Sequence, residues 1–135
     1  MVLVPGSASG AVLTLDEPLS FWGGLDSATG SIIDRWHPQY SASVRGCILL
    51  MPAGRGSSSG SSVLAEAIRL GTGPAGIVLL VGDPIVAVGA MIAAELYGTA
   101  CPVLVAERDD WSALVGESGL VLTTPEGVGE IRGKG

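Results

Sequence analysis

Three short apolar runs, Val44–Met51, Ala75–Val81 and Pro102–Ala106, alternate with two helix-like stretches, and this alternation limits the fold more than any other feature. Runs of this length rich in Val, Leu and Ile read as strands buried on both faces. A parallel pair needs a crossover of a dozen or more residues, and the intervening stretches have that length. In the first of them, Ser61–Leu70, the residues Val63, Leu64, Ala67, Ile68 and Leu70 form one stripe, Glu66 and Arg69 face out, and Gly71 stops the helix. The second, Ile85–Tyr97, is preceded by Asp83 as N-cap and Pro84 at the first helical position, and closes at Gly98. Ala11–Leu15 and Ser31–Ile33 read as earlier strands, Asp109–Val115 as a short helix, and Gly119–Leu122 and Glu130–Arg132 as closing strands. The expected class is α/β: one compact β/β/α domain over residues 1–135, its early strands forming an open barrel or second sheet.

Composition narrows the function. Apolar residues make up 47% of the 135 and charged residues 15%; mean hydropathy is +0.53. The longest apolar region, Ala75–Leu96, is broken by Gly82-Asp83-Pro84 into pieces too short to span a bilayer. The start, MVLVPGSASG, lacks a basic region followed by an apolar core, so no signal peptide is expected. A permanent protein partner explains the apolar surplus better, because obligate interfaces resemble a core cut in half. A net charge of −6 with no Lys/Arg cluster argues against nucleic acid. Two cysteines, Cys47 and Cys101, make no disulfide framework and fit a reducing cytoplasm.

Chemistry is expected at Gly54–Val63, GRGSSSGSSV, where a strand runs through a glycine- and serine-rich loop into a helix. The first N–H groups of a helix lack intrahelical partners and attract anions. Three readings are open: a plain turn with Ser61 or Ser62 as helix cap, a phosphate cradle, or a base built from Ser57 or Ser58. The cradle lacks the lysine that follows the last glycine of a P-loop. A serine hydroxyl becomes a base only when its alkoxide is stabilised, and the helix N–H groups and Arg55 could do that.

Elsewhere the signals are weaker. The loop PLSFWGGLD at 18–26 carries Leu19, Phe21 and Trp22 among glycines, and is expected to be a docking surface or active-site lining rather than a plug over the core. Within it Ser20 is a candidate substrate contact, and Asp26 either orients a substrate group or caps a turn with Thr29-Gly30. His37, the single histidine, precedes Pro38 and sits near Asp34; a lone histidine is more often structural than catalytic. Cys47 reads as a small buried hydrophobe within a strand, and two cysteines cannot supply an iron–sulfur cluster.

PLSFWGGLD at 18–26, G-x-I-x-D-x-x-HP at Gly30–Pro38, MPAGRGSSSGSS at 51–62 and GAMIAAELYGTACPV at 89–103 occur in the order found in the small subunit, or swivel domain, of the aconitase X family, which the chain resembles over nearly its whole length. The resemblance implies a swivelling β/β/α fold and a hydro-lyase in which a large, cluster-bearing partner and this domain share the active site. The aconitase swivel domain carries a G-S-S-R motif whose first serine is the base. Matched onto Gly56-Ser57-Ser58, it assigns that role to Ser57, with Ser58 in support. Ser59 stands where the arginine would follow, and Arg55 is the candidate substitute. The resemblance further implies dehydration of cis-3-hydroxy-L-proline to Δ1-pyrroline-2-carboxylate, with the iron–sulfur cluster held by the large subunit. The alternatives are mevalonate 5-phosphate dehydration and a non-catalytic binding module that keeps the fold. Phosphohistidine swivel domains place a histidine beside such a loop, and this loop has none.

Overall fold

The computed structural model describes residues 1–134. Seven strands form one sheet in the order β1-β7-β6-β5-β2-β8-β9: β1 (Val2–Val4), β2 (Ala8–Thr14), β5 (Ile48–Met51), β6 (Gly76–Leu79), β7 (Val103–Val105), β8 (Gly119–Thr123) and β9 (Glu130–Gly133). The pairs β2–β5, β5–β6 and β6–β7 are parallel, as the alternation requires. Antiparallel partners close both sides, β1 on β7 and then β8 on β2 and β9 on β8. Strand β2 pairs with β5 through Val12–Thr14 but with β8 through Ala8–Ala11, so the sheet curls where one strand changes partners. A separate hairpin joins β3 (Leu25–Asp26) to β4 (Ser31–Ile32).

The two crossovers are α2 (Ser59–Leu70) and α3 (Pro84–Tyr97), which pack against each other. Strand side chains alternate between faces. Leu49, Met51, Ile77, Leu79 and Val103 accordingly join the helix residues Leu64, Ala67, Ile68, Val86, Ala90 and Ala93 in one core. Their neighbours Ile48, Leu50, Val78 and Leu104 join Leu120 and Leu122 in a second, on which Trp111 and Leu114 of α4 (Trp111–Val115) pack. The Asp83 carboxylate accepts from the N–H groups of Ile85 and Val86 at 2.8 and 3.1 Å; such a cap is worth about 1 kcal/mol.

Four expectations change. Helix α2 begins at Ser59, not Ser61, and Ser61 lies buried within its first turn, its hydroxyl donating to the Ile85 carbonyl at 2.8 Å. Leu70 leaves the apolar stripe for solvent, while Ala65 joins it. Cys47 stands just before β5, half-buried rather than inside the strand. The Pro18–Asp26 loop plugs the core rather than forming a docking surface, and its lining role stands beside that: Leu19, Phe21 and Leu25 are buried and, of its large apolar side chains, only Trp22, at 61%, is exposed. Burying a Phe side chain contributes about 2–3 kcal/mol. The kinked turn α1 (Phe21–Gly24) makes this possible by turning Phe21 inward and Trp22 outward.

Candidate active site

In sheets with parallel strands, ligands gather at the carboxyl ends. Here those ends carry the segments after β2, β5 and β6, and the serine loop follows β5. Leu19 and Gly54 form an isolated parallel bridge that ties the loop after β2 to the serine loop. The next contact is closer still. Gly56 has φ +106°, and a Cβ there would stand 2.2 Å from the Ser20 hydroxyl oxygen. Only glycine fits both the conformation and the space. Ser20 in turn donates to the Trp22 carbonyl at 3.0 Å. Ser20 and Gly56 thus meet directly, and Ser20 braces the loop with its hydroxyl already engaged.

Ser57, Ser58 and Ser59 are all exposed. The carbonyls of Ser57 and Ser58 accept from the N–H groups of Gly60 and Ser61 at 2.9 and 3.1 Å, which opens α2. Neither the Ser57 nor the Ser58 hydroxyl has a hydrogen-bond partner among the described residues, and Ser58 makes no side-chain cap. The Gly60 and Ser61 amides are thus spent on the loop itself, and what α2 offers near Ser57 is the positive end of its dipole. Arg55, two residues before Ser57, extends to Asp34, with Nη2 3.8 Å from Oδ2.

The remaining candidates are drawn into the scaffold. The Asp26 carboxylate accepts from the Ala28 N–H at 3.0 Å, and its carbonyl accepts from those of Thr29 and Gly30, so the residue shapes the β3–β4 turn. His37 is only 5% exposed. Its Nε2 donates to the Glu17 carbonyl and its Nδ1 accepts from the Gln39 N–H, each at 3.0 Å. Both ring nitrogens are occupied, which leaves none for a substrate. Sequence reasoning weighed Asp34 only beside His37 and missed its link to Arg55, which crosses from one motif to another.

Among the described residues no group of three or more His, Cys, Asp and Glu side chains could hold a metal ion. The donor set here thus does not suit a metal cluster. Burial pushes the Cys101 thiol up to about 12, and burial also raises Cys47. A cavity of about 440 Å³ lies below α4, lined by Leu104, Ala106, Asp110, Leu114 and Ile131, and a second lies along β2 and β8. Neither touches the serine loop. Its hydroxyls stand on an open surface rather than in a pocket. No helix among the described residues is long and apolar enough to cross a membrane.

The family model described as the aconitase X swivel domain matches residues 1–131. The chain is 48% identical over 101 residues to a cis-3-hydroxy-L-proline dehydratase of Pseudomonas aeruginosa, a match covering 75% of this chain and 17% of that protein. It is 46% identical over 92 residues to the phosphomevalonate dehydratase small subunit of Methanothermobacter thermautotrophicus, covering 68% of this chain and 70% of that subunit. The crystal structure of holo aconitase X from Thermococcus kodakaraensis superposes with a TM-score of 0.81 at 28% identity, over 99% of this chain and 95% of that one. This chain belongs to the aconitase X swivel domain family, with its curled α/β fold. It spans about a fifth of the length of the hydroxyproline dehydratases it matches.

Proposed function

We propose that this chain is the small, base-carrying part of an aconitase X-type hydro-lyase that converts cis-3-hydroxy-L-proline to Δ1-pyrroline-2-carboxylate in the cytoplasm. The observation that carries the reading is Ser57: exposed, without a side-chain partner among the described residues, and placed just before the start of α2. The identity to the Pseudomonas hydroxyproline dehydratase supports the substrate.

In this reading the Ser57 alkoxide removes the proton from C2 of the substrate, and the C2 electron pair forms the C2=C3 bond as the C3–O bond breaks. The hydroxyl takes up a proton and departs as water. The resulting enamine tautomerises to the product. The positive end of the α2 dipole and the Arg55 guanidinium favour the charged form of Ser57. The open setting of the loop calls for a second surface, and a large partner subunit would complete the site and hold the iron–sulfur cluster. Approach of that surface sets the reaction geometry, so closure matters as much as basicity.

The match to a phosphomevalonate dehydratase small subunit, which extends over most of that subunit, favours mevalonate 5-phosphate as the second reading. The test is an anaerobic assay of this chain with its large partner on both acids. Pyrroline product that is lost on Ser57→Ala supports the first reading. Turnover of mevalonate 5-phosphate alone selects the second, and turnover of neither leaves a binding module.

A further inference from the structure

Of the fixed positions in the Gly30–Pro38 run, Gly30, Ile32 and His37 are scaffold, and Asp34 is scaffold at all but one atom. Gly30 has φ +79° and passes so close to Thr72 that a Cβ would stand 2.3 Å from its carbonyl oxygen. Ile32 is fully buried, with its N–H donating to Ala42 and its carbonyl accepting from Ser41, each at 2.9 Å. His37 is consumed by Glu17 and Gln39. Asp34 is held just as firmly: Oδ1 accepts from the Trp36 N–H at 3.0 Å, and its carbonyl accepts from the His37 N–H at 3.1 Å. That leaves Oδ2, which faces the serine loop 3.8 Å from Arg55 Nη2.

We propose that Asp34 is a positioning residue that holds the Arg55 guanidinium beside Ser57 as the contact for the carboxylate of the hydroxy-acid substrate. The inference rests on the hydro-lyase reading and deepens it. Arg55 is about half exposed, and an exposed charge pair changes a folding equilibrium by about fivefold at most. Stability is therefore a poor reason for the pair. Orientation is a better one: a long side chain loses rotamer freedom on binding, and a fixed charge beside it removes part of that cost beforehand. At 3.8 Å the contact is looser than a direct hydrogen bond, so the guanidinium keeps N–H groups for a bidentate carboxylate. On cis-3-hydroxy-L-proline that carboxylate sits on the carbon that loses its proton, and neutralising it makes that proton easier to remove.

The test uses this chain in complex with its large partner. Asp34→Asn keeps an oxygen for the Trp36 amide and removes only the charge. It is expected to raise KM about fivefold, with a smaller change in kcat and an unchanged melting temperature. Arg55→Ala should raise KM further, and adding Asp34→Asn to it should change nothing more. An unaltered KM in Asp34→Asn, or the same rise when Arg55 is absent, overturns the proposal. Ser57→Ala reports on the base alone, so normal turnover by that variant sinks the base assignment and leaves the Asp34–Arg55 cycle measurable. Should neither acid be turned over, NMR of the Arg55 side-chain N–H groups in the full chain still decides. Restricted signals that become averaged in Asp34→Asn support the pair, and identical signals in both overturn it.

Discussion

The serine loop and the His37 segment are both glycine-punctuated, polar-rich stretches, yet the fold uses them in opposite ways. Around His37 the polar atoms turn inward: both ring nitrogens and the Asp34 Oδ1 oxygen are spent on backbone groups. Around Ser57 the backbone is held, by Gly60 and Ser61 N–H groups on the carbonyls and by Ser20 against Gly56, while the hydroxyls are left to solvent. A residue whose lone pairs are committed stabilises. One whose backbone is fixed and whose side chain is free can react. The contrast separates support from chemistry better than residue type does, since histidine would ordinarily be the first choice of base.

The largest effect expected from this contrast is at Ser57. In the reconstituted complex Ser57→Ala should lower kcat by about a hundred- to ten-thousandfold, the usual span for a general base, with no loss of melting temperature. Next comes Gly56→Ala, whose new methyl group meets Ser20 at 2.2 Å in a backbone region alanine avoids. A loop displacement of about 1 Å can cost about a hundredfold in rate. Ser20→Gly added to Gly56→Ala should recover part of that loss, and no recovery would mean that backbone strain rather than the collision is responsible.

His37→Ala should behave in the opposite sense. Leaving the Glu17 carbonyl and Gln39 amide unpaired should cost roughly 2–3 kcal/mol in urea unfolding, while kcat per folded molecule stays close to wild type. A kcat loss as large as that of Ser57→Ala would erase the distinction between the two segments. The smallest effect concerns pH. The Cys101 thiol, at about 12 in the fold against an ordinary 9.0, keeps its proton where the unfolded chain has lost it. The folded state binds more protons in that interval, so stability should fall as pH rises from 9.0 towards 12. Cys101→Ser or Cys101→Ala should flatten that slope, and native Cys101 should resist alkylation at neutral pH while Cys47, half-buried, reacts first.

Much of the parallel half was readable along the chain. Asp83, Pro84 and Gly98 mark both ends of α3 because capping is local chemistry, decided within a turn of the residues concerned. The apolar runs gave β5, β6 and β7 for the same reason. Less was legible where partners are distant. Strand β1 is three residues long and exists by pairing with β7, a hundred residues on. The start of β2 at Ala8 depends on β8. Residue pattern could not show that Phe21 faces the core and Trp22 the solvent, because the kink between them is set by packing on α2.

The same division holds for the site. The sequence by itself determined that a strand ends in a glycine–serine loop at the head of a helix, with Ser57 and Arg55 in it, since those choices rest on neighbours a few residues apart. The tertiary structure alone decided that Ser20 would wedge Gly56, that His37 would be buried as a clamp, and that Asp34 would reach Arg55. Each of those depends on which strands lie side by side, and burial, not residue identity, settles whether a polar atom is spent or available.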